Sequence, residues 1–352
     1  MLASSTSEPK LAGLQALRGI AASLVYIQHV FAFADAATPG PTDILYSFQF
    51  GGLGVYIFFA LSAYLMATKV SDPPLKFVID RVRRIYPTFW IVLIIATVVT
   101  YYLAGTHGTT WQLFLLLPMG ERPWANVPYW TLYFELTFYA FMLLLIVPFG
   151  KRAIYPAMIG LLASFALSGS VTNTDHQFPI GGLLFFNKLS LYFLAGIVAG
   201  LLPPPKSGKI YAAVGLAAFY GILHIYRVPG VNTLIGPYIG VLLAPVWAFS
   251  MFCFVRAALA WSAEGRIGSL LARLGDLSYG IYLIHLVPLN AIVVLLTMYG
   301  LKLSYWQVAA LMFVSALPPA IAMGLIDLRL QKALKGATRR LPMLMRLRRQ
   351  PA

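Results

Sequence analysis

Charge is scarce in this chain, and negative charge scarcest. Asp and Glu number 11 against 26 Lys and Arg in 352 residues, and only 11% of positions are charged while 60% are hydrophobic. A soluble domain of that composition would lack the polar surface to cover itself. Cysteine occurs once, at Cys253 inside an apolar run, which excludes an intrachain disulfide and leaves the redox compartment unread. The sequence holds no Cys/His metal spacing, no Gly-rich phosphate loop of the Walker or dinucleotide kind, and no internal repeat. The net charge of +15 does not point to nucleic acid, because the basic residues cluster beside apolar runs, as topology signals do.

What is abundant is apolar sequence in runs near the length that crosses a bilayer. The fold expected is all-α, a polytopic transmembrane helical bundle. Ten spans are predicted at 11–34, 48–69, 85–104, 130–149, 153–170, 187–202, 208–224, 234–256, 278–299 and 305–327. Lys10 precedes the first run as in a signal peptide, but the run is long, holds an arginine and lacks a small-x-small cleavage site, so it is read as a retained helix. With the N-terminus inside, the outer connections carry Arg122, Lys188, Arg227 and Lys302, Arg18 is intramembrane, and 21 of the 26 basic residues fall on the inner side. Both termini are therefore expected to be cytoplasmic. The segments divide as a short cytoplasmic start (1–10), a membrane domain (11–327) and a basic cytoplasmic tail (328–352), the last suited to anionic lipid.

The ionisable residues inside the runs carry the functional argument, because they are costly there and face protein or a polar cavity. The first run, LAGLQALRGIAASLVYIQHVFAFA, contains Arg18 and His29. Eleven helical steps separate them, which puts both on one face about 16 Å apart. The plainer alternative has Arg18 reaching the headgroups and His29 capping the far end. Glu135 lies in the fourth span, in WTLYFELTFY, at a depth similar to His29, where a contact between the two is possible; the alternative is a carboxyl bonded to backbone. Arg81, Arg83 and Arg84 in KFVIDRVRRIYP form the densest charge cluster outside the tail, readable as a phosphate site or as a positive-inside stop signal. In SYGIYLIH, Ser278, Tyr282 and His285 share a helical face. Trp130, with Trp111, Trp124 and Tyr129, suits the outer interface or a wall for a sugar. WQLFLLLPM is too short to span and is expected to be re-entrant or interfacial. RAALAWSAEGRIGSLLARLGDL reads as a surface-lying amphipathic helix.

As a set, LQALRGIAASLVYIQH, FFALSAYL, RVRRIYP, WTLYFELTFY and SYGIYLIH resemble, in order, the motifs of the membrane acyltransferase-3 family, whose bacterial members O-acylate sugars, polysaccharides and some secondary metabolites. The departures are Ala63 and Gln15, each where the family usually has Gly. The resemblance implies His29 as the catalytic histidine with Glu135 as its matched acid, Arg18, Arg81 and Arg84 on the donor side, and Trp130, Ser278, Tyr282 and His285 as candidate lining of the substrate site. It implies acyl coenzyme A as co-substrate with no bound cofactor or metal, a carbohydrate or glycolipid acceptor, and a place in the bacterial cytoplasmic membrane. The alternative of another class is a proton-coupled transporter that uses Arg18, His29 and Glu135 as a relay.

Overall fold

The computed structural model describes residues 9–40, 50–105, 111–117, 127–171, 186–227 and 240–347, and these are helical with no strand among them. In chain order the helices are α1 (Pro9–Ala37), α2 (Phe50–Lys69), α3 (Pro74–Ala104), the single turn α4 (Trp111–Phe114), α5 (Tyr129–Phe149), α6 (Ile154–Val171), α7 (Ser190–Leu201), α8 (Lys209–Arg227), α9 (Ala244–Leu259), α10 (Gly265–Ile284), α11 (Leu286–Met298) and α12 (Tyr305–Leu347). Six helical stretches are long and apolar enough to cross a membrane, or seven when the bent pair α10 and α11 is one span. Each of the ten predicted runs holds a helix. Two of them, 130–149 and 153–170, lie in one apolar stretch, Tyr129–Ser168, divided by a 3-10 turn at Gly150–Ala153. Those at 187–202 and 208–224 are shorter apolar helices.

Helix α1 is the hub, packed against α2, α9, α10, α11 and α12. The α1 and α10 backbones meet where each offers a glycine. A Cβ on Gly275 would collide with the carbonyl of Gln15, and one on Gly19 with the carbonyl of Leu271. Small residues let membrane helices approach this closely and gain packing that lipid cannot supply. Outward, Ile94, Val98 and Tyr102 of α3 and Leu144 and Val147 of α5 are exposed, as side chains facing acyl chains would be.

Three departures from the expected elements matter for the site. First, α3 begins at Pro74 instead of 85, so Arg81, Arg83 and Arg84 lie within a 31-residue helix and Pro87 lies in its interior. An interior proline strips the carbonyl four residues back of its partner. That carbonyl, on Arg83, accepts a hydrogen bond from Gln331 Nε2 at 3.1 Å, which makes the proline tolerable. Second, the predicted span 278–299 is broken at His285, where α10 and α11 meet at 44°. Pro288 supplies the cause, since its ring clashes with the carbonyl of Ile284 and leaves that carbonyl without its helical donor. Of the predicted surface helix, 256–259 end α9 and 265–277 begin α10, continuous with the SYGIY segment. Third, α12 runs 43 residues, past the expected end of the tenth span at 327.

The predicted interfacial segment WQLFLLLPM forms only the α4 turn. It is tied to α3 by Tyr86 Oη donating to the Leu115 carbonyl (3.0 Å) and Trp90 Nε1 to that of Phe114 (2.8 Å). Arg256 of α9 is buried and donates to the carbonyls of Leu202 (3.1 Å) and Pro203 (2.6 Å), capping the C-terminal end of α7. His107, His176, Trp124 and Asp43 lie outside the described residues.

Candidate active site

One cavity gathers most of the ionisable residues that the sequence singles out. Arg18 comes from α1, Ser62 from α2, Arg81 and Arg84 from α3, Glu135 and Tyr139 from α5, and Ser278, Tyr279 and Tyr282 from α10. Including its open mouth, the space is about 810 Å³. Spacing explains the convergence: Arg81 and Arg84, Glu135 and Tyr139, and Ser278 and Tyr282 are each three or four apart and share a helix face.

The cations of this cavity are held differently. Arg84 Nη1 pairs with Asp327 Oδ2 of α12 at 3.0 Å, and its guanidinium lies 4.7 Å from the Tyr279 ring centre. Asp327 also accepts from Thr88 Oγ1 at 2.6 Å and is fully buried, a second intramembrane carboxylate beside Glu135. Arg81 stacks on Tyr139 (5.4 Å) and Phe77 (5.8 Å), and its buried Nε has no partner. Arg18 makes no hydrogen bond or ion pair with another described residue. Two guanidinium groups without a carboxylate partner thus face a cavity in which water or an anionic ligand must satisfy them. Ser278 Oγ, fully buried, likewise has no partner among the described residues. Tyr282 also lines the cavity, and its hydroxyl lies 2.8 Å from Thr131 Oγ1.

The pairing expected between His29 and Glu135 is not made. Glu135 Oε1 accepts from Ser62 Oγ at 2.6 Å and from Tyr139 Oη, so the carboxylate is turned into the arginine cavity. His29 does not line that cavity and meets His285 instead: the ring centres are 4.9 Å apart, and His285 Nε2 lies 3.3 Å from His29 Nδ1. The same His29 Nδ1 is 2.8 Å from the Val25 carbonyl, and His285 Nδ1 is 2.7 Å from the Tyr282 carbonyl. The break between α10 and α11 sits at His285, whose own backbone stays helical at the end of α10. The two sites share Tyr282, which lines the cavity and has its ring centre 5.9 Å from that of His285.

Of the predicted lining residues, Ser278 and Tyr282 border the cavity. His285 is buried against the half-buried His29, and Trp130 packs edge-on against Phe134 at 6.2 Å and does not line the cavity. Ser62, within FFALSAYL, reads from the sequence as equally a helix-packing or a substrate-facing residue, and the structure puts it on the cavity. Tyr139, Tyr279 and Asp327 are the residues that sequence reasoning missed, of which Tyr139 carried a signal, four residues from Glu135. Among the described residues no three His, Cys, Asp or Glu side chains cluster as a metal site.

A helical membrane bundle with an arginine-lined cavity beside a histidine pair, His285 buried and His29 half-buried, is a frame that suits an intramembrane group-transfer enzyme. The chain belongs to the acyltransferase-3 family, whose acyltransferase domain matches residues 11–325. It is 28% identical over 267 residues to the exopolysaccharide production protein ExoZ of Rhizobium meliloti (strain 1021), covering 70% of this chain and 78% of that protein. It is 26% identical over 314 residues to the acyltransferase MdmB of Streptomyces mycarofaciens, covering 80% of this chain and 79% of that one. To the O-acetyl transferase of Shigella phage Sf6 it is 26% identical over 202 residues, 48% of this chain and 58% of that protein. No solved structure matches it significantly. The protein is an acyltransferase with several membrane-spanning helices.

Proposed function

We propose that this enzyme moves an acyl group, in the simplest case acetyl, from acyl coenzyme A to a hydroxyl of a carbohydrate or glycolipid acceptor, with no resident cofactor. The observation that carries this reading is the convergence of Arg18, Arg81 and Arg84 on one cavity, where Arg18 and Arg81 have no carboxylate partner. Planar guanidinium groups match phosphate oxygens bidentately, and a donor bearing several phosphates is the acyl carrier that such a mouth suits. The flexible arm of the donor then extends past Tyr282 toward His29. His29 Nε2 takes the acceptor hydroxyl proton as the oxygen attacks the thioester carbonyl. The C–S bond breaks, and the thiolate recovers that proton as free thiol. Glu135 acts on the donor side, as a counter-charge among the arginines that fixes Ser62 and Tyr139.

The names of two relatives, an exopolysaccharide production protein and an O-acetyl transferase, favour a saccharide hydroxyl as acceptor. The proposed setting is the bacterial cytoplasmic membrane with both termini inside and ten helical segments threading the bilayer. Support comes from the excess of basic residues on one set of connections and from a helix at each of the ten runs. The basic end of the chain meets anionic lipid there.

The test is incorporation of radiolabelled acetyl from acetyl coenzyme A into the glycan fraction of membranes from cells that make the protein, with mass spectrometry of the product. His29→Ala is expected to lower the rate by about 10²-fold or more while the protein stays inserted, given the usual contribution of a positioned base. A residual rate above about a tenth of wild type would remove His29 from that role.

A further inference from the structure

Both members of the histidine pair present Nδ1 to a backbone carbonyl, Val25 for His29 and Tyr282 for His285. A carbonyl only accepts, so each Nδ1 carries the hydrogen. It follows that neutral His285 has a bare Nε2, and that this lone pair faces the His29 Nδ1–H at 3.3 Å. His29 Nδ1–H is shared between the Val25 carbonyl and His285, and its own Nε2 is left unprotonated. The direction of the bond between the rings is thus fixed by main-chain atoms on two different helices. His285 is fully enclosed, and its ring is seated by Tyr26 (centres 6.5 Å apart) and Tyr282.

We propose that His285 is the positioning residue of the reaction: its Nε2 holds the His29 ring with Nε2 free and stabilises the imidazolium that forms there. This is the part that a carboxylate plays in a Ser-His-Asp site. Here a neutral imidazole plays it, while Glu135, the carboxylate that the sequence places at similar depth, is bound to Ser62 and Tyr139. An imidazole acceptor suits the setting, because a carboxylate beside His29 in the bilayer interior would add a buried charge in the resting enzyme and favour a protonated, non-basic histidine. His285 keeps helical backbone angles at the end of α10, its N–H bonded to the Ile281 carbonyl at 3.2 Å, so the packing of α10 on α1 is what brings Nε2 to this place. The proposal rests on the reading of His29 as base.

Two measurements on the full-length protein test it. In the first, histidine-15N labelling and solid-state NMR of the resting enzyme read the tautomer of each of the five histidines. His29 and His285 are both expected as Nδ1–H forms, and an Nε2–H form at either position overturns the proposal. The second is the acetyl coenzyme A assay in acceptor-bearing membranes. His285→Phe keeps a ring and loses the acceptor, and should lower kcat about 10- to 100-fold, the range for partners that orient a reactive imidazole, with the donor KM unchanged. His285→Gln, whose amide oxygen reaches the position of Nε2, should recover most of that loss. His285→Asn, too short to reach His29, should not recover it, and replaces Phe if the Phe variant fails to insert. Equal rates for Gln and Asn, or wild-type kcat in the variant lacking the acceptor, overturn the role of His285. Persistence of activity in His29→Ala overturns the reading beneath it, so the two failures are told apart.

Discussion

At the scale of single residues, the site separates two tasks that the sequence alone placed together. Arg18 and His29 share a face of α1, and the expectation that Glu135 joins His29 followed from comparable depth on another helix. Depth says nothing about direction around a helix axis, and Glu135 is drawn to the side where Ser62, Tyr139 and the arginines lie. Glu135→Gln therefore tests which task the carboxylate serves. The amide oxygen still accepts from Ser62 and Tyr139, while the cavity loses its negative charge, so polyphosphate donor should bind more tightly. KM for acetyl coenzyme A is expected to fall several-fold at low ionic strength, the effect fading as salt screens it, with kcat little changed. A sharp drop in kcat at constant KM would return Glu135 to the side of His29. The histidine partner was legible as a buried residue in SYGIYLIH, but its contact was not, because it depends on how α10 packs on α1 and on two main-chain carbonyls. Asp327 was hidden for a related reason: it sits at the margin of an apolar run, where a charge reads as a boundary until it is seen fully buried with Arg84 opposite.

At the scale of elements, each of the ten apolar runs holds a helix among the described residues, because hydropathy and the need to satisfy backbone groups in lipid leave few other forms. Boundaries were legible only where composition changes sharply. The start of α3 was masked by its own charge cluster, since arginines at a membrane edge mark a span's end by composition whether or not the helix continues. Pro87 reinforced that reading, and only the Gln331 side chain from α12 shows how the helix passes through it. Helix contact between α1 and α10 is the more fragile feature, because both arms of the site hang on it: Arg18 and His29 on one helix, Ser278, Tyr282 and His285 at the end of the other. At Gly275 a side chain would meet the Gln15 carbonyl, and backbone on α1 cannot rotate away as a side chain could. Gly275→Val is expected to separate the helices, costing about 1–3 kcal/mol as overpacking does. The check is a lower thermal inactivation temperature in detergent together with transfer activity reduced more than donor binding, since the histidine pair is the most distance-sensitive contact. Gly336, where an added Cβ meets nothing, is the matched control.

At the scale of the whole molecule, charge and chemistry run in one direction across the bundle. The arginine cavity is lined by α1, α2, α3, α5 and α10, and on the proposed topology Arg18 lies nearer the cytoplasmic end of α1 than His29 does, by about 16 Å. Donor is then taken from the side where acyl coenzyme A is made, and the acyl group meets its acceptor deeper in the membrane, on the far side of Tyr282. Such a layout requires that the donor never cross the bilayer, since its phosphates would have to shed their water in hydrocarbon. Vesicle sidedness tests this arrangement directly. Inverted vesicles, with the cytoplasmic face outward, should label their glycan from added acetyl coenzyme A. Sealed right-side-out vesicles should not, until a pore-forming detergent admits the donor. If right-side-out vesicles are labelled as fast as inverted ones without permeabilisation, the arginines face the outer surface. The two cytoplasmic termini would then have to be abandoned together with the donor's point of entry, because both rest on the same asymmetry of basic residues.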